Sequence, residues 1–157
     1  MLFRSPPFTT EPLSRLTLAL YCGASGDHNP IHVDLAFAQR AGMPDVFAHG
    51  MLSMAWLGRL LTNWVPQSHI REFGVRFVAI TQVGESITCS ALVTEVFEAH
   101  GERLARLLLH TRNARGEVKL KGDAVVALGL AGADDEVPAE DFASTIVSSL
   151  QPLPGQA

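Results

Sequence analysis

Residues 51–64, MLSMAWLGRLLTNW, carry a single charge, Arg59. A surface helix shows a polar face opposite its apolar one. This stretch has almost none. It therefore predicts a helix buried on most sides, stopped by Pro66. It is shorter than the roughly 20 apolar residues a membrane span needs. Such a helix requires a wrapper, and the chain supplies one after it. EFGVRFVAI at 72–80, then ITCSALVTEVFE, then EVKLKGDAVVALGL at 117–130 read as strands. RLARLLLHTR at 103–112 alternates less cleanly, and its pattern leaves strand and helix both open. TQVGES, AHGER and NARGE punctuate these runs as turns. Gly122 interrupts the last run and predicts a bulge.

Before the apolar helix the signals are different. Residues 1–12 read as an irregular N-terminal arm. Residues 13–24, LSRLTLALYCGA, leave open a short helix and a strand running into a helical turn. Residues 34–41 predict a short helix capped by Asp34 and ended by Gly42 and Pro44. Helices in the first half and four strand signals in the second argue for α+β. The economical architecture is one antiparallel sheet wrapped around the 51–64 helix, in a single domain at 157 residues. From Ala131 onward, acidic residues and prolines predict a tail that is mobile or docked on a partner.

Composition excludes some functions. The net charge is -4, which gives no long-range attraction to nucleic acid or an anionic membrane. Only 18% of residues are charged, so a partner can cover part of the surface. Cys22 and Cys89 form neither a CxxC nor a zinc pattern, and a buried thiol is the simplest reading of Cys22. The first residues lack the apolar run of a signal peptide, so the cytoplasm is the expected compartment.

The chemistry concentrates in SGDHNPIH, residues 25–32. Aspartate and asparagine at a turn often only bond their own backbone. Asp27 and His32, however, can hold one water between them, which is the equipment for general acid–base work. Asn29 can orient Asp27 or steady the loop. AHGM at 48–51 starts the apolar helix, where the first N–H groups lack internal partners and Gly50 admits a ligand atom. That place suits a developing oxyanion. A metal held by Asp27, His28, His32 and His49 is the rival use; no HExxH pattern supports it, and no metal is expected. Ser25 lacks a GxSxG elbow. A Cys22 dyad with His28 or His32 lacks an evident oxyanion partner unless Gly50 serves. His69, His100 and His110 read as loop, surface or edge residues. Arg71 and Arg76 read as a solvated face or an anion contact, and Trp56 and Trp64 as core or interface.

Together, YCGASGDHNPIHVD at 21–34 and AHGMLSMAWLG at 48–58 resemble the MaoC-like (R)-specific enoyl-thioester hydratases and dehydratases, the hydratase 2 family. The resemblance implies a hot-dog fold over residues 13–130. It implies Asp27 and His32 as catalytic residues that bind the water added across the enoyl double bond. Asn29 would arrange the loop and the substrate, and the Gly50 backbone N–H would receive the thioester carbonyl oxygen. It implies no cofactor. The substrate would be an acyl-CoA or acyl carrier protein thioester, and the assembly a homodimer or a heterodimer with a second hot-dog subunit. The sequence departs from the family at Gly58, where many members carry serine. In RFVAITQVGE, Ile80 and Glu85 replace a usual proline and aspartate. The competing expectations are a hot-dog thioesterase, and a motif-bearing subunit inactive alone.

Overall fold

The computed structural model describes residues 3–4 and 7–130; the expected C-terminal tail lies outside the described residues. Helices α1 (Arg15–Ser25), α2 (Leu35–Arg40) and α3 (Gly50–Thr62) fall in the first half. Strands β3 (Ile70–Phe77), β4 (Ile87–Ala99), β5 (Glu102–Asn113) and β6 (Val118–Leu130) form the second. The arm is less irregular than its sequence suggests. It contributes β1 (Phe3–Arg4) and β2 (Phe8–Thr9), both antiparallel to β4.

The long strands β4, β5 and β6 form a meander, but β3 does not precede it in space. The sheet order is β1-β4-β5-β6-β3, so β3 pairs with β6 at the opposite edge from β1. Alternation along a strand fixes which face is buried and leaves the neighbour unspecified. β5 is a full strand over the stretch whose pattern was ambiguous, with Leu107, Leu109 and Thr111 buried on one face.

α3 lies on the sheet through Leu57, Leu60 and Leu61, which meet Ile87, Leu107 and Ala124. It is not buried on most sides. Met51, Ala55, Arg59 and Thr62 are exposed, and their spacing of about four residues makes them one stripe. Within this chain the sheet covers one face of the helix. A second cluster, Leu13, Leu18, Ala38, Val46, Ala48 and Leu52, packs α1, α2 and the loop before α3 against the first turns of α3. This layer carries the polar loop. Among the described residues no helix is long and apolar enough to cross a membrane.

Gly122 makes no bulge. It pairs in register with Val75 on one side and Leu109 on the other. The shifts of register fall elsewhere, as between Val93 and Glu95 in β4.

Candidate active site

The polar loop is built by short-range bonds. Ser14 caps α1 by accepting from the Thr17 N–H, and α1 ends at Ser25. Gly26, at φ 75°, turns the chain left-handed, a conformation other residues adopt at a cost. Asp27 follows. Its N–H donates to Ser25 Oγ (3.2 Å), and its Oδ1 accepts from the Asn29 N–H (3.3 Å). Asn29 Oδ1 accepts from the Ile31 N–H (3.1 Å), capping a 3-10 turn over Pro30–His32. Asp34 then caps α2 through the Phe37 N–H (2.9 Å), as its position in the sequence predicts. Asn29 thus steadies the turn that delivers His32.

His32 is buried and Asp27 exposed. His32 Nδ1 lies 2.9 Å from the Phe47 carbonyl oxygen. A carbonyl only accepts, so Nδ1 carries the proton and neutral His32 keeps its lone pair on Nε2. His49 follows the same logic at the opposite nitrogen. Its Nε2 donates to the Asp27 carbonyl (3.2 Å), and Cys22 Sγ donates to that same oxygen (3.0 Å). Cys22, on α1, is therefore a half-buried donor to the loop, not the buried apolar filler its composition suggests. His49 is 1% exposed and its Nδ1 has no partner. Its ring stacks on His32 with centroids 3.9 Å apart and 26° between planes. Burial, then the charge on His32, push the His49 pKa below its ordinary value; the Asp27 carbonyl and carboxylate oppose this.

One donor atom each from Asp27, His32 and His49 falls within a 4.8 Å circle. That span suits a water bridging two acceptors, which stand roughly 4.5 Å apart when each bond is ~2.8 Å. It suits a shared metal less well. Imidazole donates to a metal in the ring plane, and the His32 and His49 planes are stacked 3.9 Å apart at 26°. One ion cannot lie in both planes at bonding distance unless a ring turns.

Gly50 opens α3, so its N–H belongs to the group a helix leaves without an internal partner. A cavity of about 270 Å³ lies beside it, lined by Phe47, Ala48, Ser53, Phe77, Ile80 and Thr81 among others. Ser53 and Thr81 are buried hydroxyls that sequence reasoning did not single out. Ser53 lies about one turn past Gly50 on α3. A larger cavity of about 340 Å³, lined by Phe8, Trp56 and Arg59, holds none of the candidate residues.

Residues 4–110 match the MaoC like domain. The chain belongs to the MaoC-like family. It is 32% identical over 123 residues to the fatty acid synthase subunit beta of Saccharomyces cerevisiae, covering 76% of this chain and 5% of that protein. The chain thus spans only a small part of the length of that subunit. It is 27% identical over 125 residues to the (R)-specific enoyl-CoA hydratase of Rhodospirillum rubrum, covering 78% of this chain and 84% of the relative. A solved (R)-hydratase from A. caviae superposes with a TM-score of 0.70 at 23% identity, over 80% of this chain and 95% of that one. The fold is a single hot-dog unit.

Several of the other histidines and arginines of this MaoC-like domain have structural partners, while Arg76 is exposed on β3. His69 Nδ1 bonds the Ala127 carbonyl (3.2 Å), and His110 Nε2 meets Ser90 Oγ (2.9 Å). Arg71 holds Glu102 (2.8 Å) across the sheet. His100 sits in the β4–β5 turn with φ 52°. His28 is exposed and outside the Asp27, His32 and His49 group.

Proposed function

We propose that residues 13–130 catalyse reversible hydration of trans-2-enoyl thioesters of coenzyme A or acyl carrier protein to (R)-3-hydroxyacyl thioesters, in the cytoplasm. The observation that carries this reading is that a carboxylate oxygen of Asp27 and a ring nitrogen of His32 lie within 4.8 Å of each other, with His32 Nδ1 on the Phe47 carbonyl, beside a helix that opens at Gly50. A water donating one hydrogen to the Asp27 carboxylate and one to His32 Nε2 has its oxygen lone pair turned outward. That oxygen attacks C3, and one of the two acceptors takes its proton. Electrons move through the double bond to the thioester oxygen, where the Gly50 N–H meets the developing charge. C2 then takes a proton from the pair, and the enolate returns to the thioester. No redox step occurs. The named (R)-specific relative supports the stereochemistry.

The assembly we propose is a dimer through β3, with a second copy or a second hot-dog subunit. β3 lies at a sheet edge, and an unpaired edge is a template for another strand. Phe77 at its end, and Val78 and Ile80 just beyond, are exposed apolar residues.

The test is absorbance of the conjugated thioester with crotonyl-CoA and a longer trans-2-enoyl-CoA, run on wild type and Asp27→Asn beside a free-thiol assay. Hydration gives loss of absorbance in wild type only, with no thiol released. Thiol release from a saturated acyl-CoA would replace the hydratase with a thioesterase.

A further inference from the structure

We infer that His49 is a positioning residue of this site: as a neutral imidazole it ties the Asp27 backbone through Nε2 and carries the His32 ring on its face, so that one side chain sets the spacing of the water-holding pair. The inference rests on the hydratase reading for its effect on rate, but the contacts stand without it.

The Asp27 carbonyl can only accept, so Nε2 of His49 is the protonated nitrogen. Asp27 heads an exposed loop, and two donors converge on its carbonyl, from His49 and from Cys22 on α1. The same His49 ring lies 3.9 Å from His32 and 4.9 Å from Tyr21. His32 is held from the other side by the Phe47 carbonyl and the Phe47 ring, the latter 5.0 Å away edge-on. His32 is thus clamped between residues 47 and 49 of the segment that leads into Gly50. The loop bearing Asp27 and the turn bearing His32 meet at the ring of the residue that leads into α3.

The neutral state follows from what surrounds Nδ1. That atom is buried without a partner. A proton there would place an unsatisfied N–H and a positive charge against the His32 ring, away from water. The titratable groups facing His49 are Asp27 from the loop, His32 from the 3-10 turn, Tyr21 from α1, and Cys22, which shares the Asp27 carbonyl. Burial and His32 oppose the charged form, while Asp27 favours it, and the net direction is downward. His49 therefore stays neutral to a lower pH than an ordinary histidine, and its protonation below that point would charge a buried ring stacked on His32.

Two substitutions separate the contacts. His49→Phe keeps a ring on His32 and loses the donor. His49→Gln keeps a donor near Nε2 and loses the ring. Each should lower kcat on crotonyl-CoA by about 10- to 100-fold, the range for small misplacement of reacting groups, with KM changed less than kcat. Each should also make the acid limb of kcat against pH shallower by up to one proton. In parallel, ¹⁵N NMR of imidazole-labelled full-length wild type should show His49 protonated at Nε2 and neutral to a pH below that of an ordinary histidine. His32 signals should shift in both variants. Unchanged kcat and pH profile in folded His49→Phe and His49→Gln, with Asp27→Asn inactive, would overturn the positioning role and leave the hydratase standing. A wild type that hydrates no enoyl thioester would remove the hydratase instead. The NMR would then decide the inference alone, since a His49 protonated at Nδ1, or a His32 indifferent to both variants, overturns it without turnover. Should His49→Phe fail to fold, His49→Gln and the wild-type tautomer carry the decision.

Discussion

Gly122 in β6 faces the Gly74 carbonyl in β3 so closely that a Cβ built on it would stand 2.3 Å from that oxygen. The same Cβ would lie 3.0 Å from Val75 Cγ1. The obstacle is backbone, which cannot swing aside. Gly122→Ala should therefore destabilise the fold by about 1–3 kcal/mol, the usual range for overpacking. Urea denaturation checks this, and the lost stability should come with a loosened β3 edge in hydrogen exchange. A Gly122→Ala protein as stable as wild type would show that β3 and β6 stand further apart.

Lys119 is a second point of stress on β6. Its side chain is 3% exposed, and Nζ reaches Glu117 (2.7 Å), Glu85 (3.1 Å) and the Ile80 carbonyl (2.8 Å). Burial pushes the Glu85 carboxyl up, but the Gln82 N–H, the Asn113 amide and the Lys119 ammonium outweigh it and hold its pKa below the usual value. Lys119→Met removes the ammonium but leaves Glu85 the Gln82 N–H, the Asn113 amide and Arg115 at 3.5 Å, so it should cost about 1–3 kcal/mol, as losing one partner of a buried polar group does. Lys119→Met with Glu85→Gln should recover part of the loss. The sign with pH is fixed by the lowered pKa: Glu85 stabilises above its unfolded value near 4.5, and the gain disappears as pH falls through its folded value. Denaturation curves at several pH values on wild type and Glu85→Gln measure that component.

These residues also mark what could be read from the chain. The cap at Asp34, the apolar run of α3 and the period of β4 were legible because each depends on neighbours in sequence. α1 was not, since Leu16 and Leu20 are exposed at 67% and 65% while Leu18 is buried, so its apolar residues do not trace one face. Gly122 read as a bulge because a glycine in a strand signals a bulge or a close approach alike. Only the partner strand distinguishes the two. At the site, the motif placed Asp27, His32 and Gly50 on adjoining segments. The positioning contacts of His49 left no trace in the sequence, because its partner is the Asp27 carbonyl, and every residue has a carbonyl.

Asn29 should act through the turn it caps. Asn29→Ala removes the acceptor for the Ile31 N–H, at a cost of about 1 kcal/mol by analogy with helix caps. His32 closes that turn, so kcat should fall more than stability does. Asn29→Asp retains an acceptor and should restore most of the rate. Equal rates for Asn29→Ala and wild type would give His32 a placement independent of this cap.

Asp27→Asn and His32→Ala should each reduce hydration at least ~100-fold, the low end for losing acid–base assistance. Asp27 is exposed, so Asp27→Asn should leave the thermal midpoint close to wild type. His32→Ala empties a buried position and should lower it. Steady-state rates beside melting curves separate the two effects. Near-full hydration in either variant would take that residue out of the mechanism.

Gly50 offers a case in which activity and stability should part. A Cβ there would lie 3.2 Å from Phe77 Cε1, and Phe77 is 53% exposed, so its ring can give way. Alanine is also the better helix former, by about 1 kcal/mol in a helix interior. Gly50→Ala should therefore fold with stability within about 1 kcal/mol of wild type. The new methyl would stand where a thioester oxygen must approach the N–H. Gly50→Val adds branched bulk at the same point. It should lose about 100-fold in kcat/KM, comparable to removing one oxyanion donor, with Gly50→Ala in between. Phe77→Ala in the Gly50→Ala background separates causes: recovery of activity assigns the loss to a displaced ring, and no recovery assigns it to the blocked N–H. Full activity in folded Gly50→Val would place the oxyanion contact somewhere other than the first residue of α3.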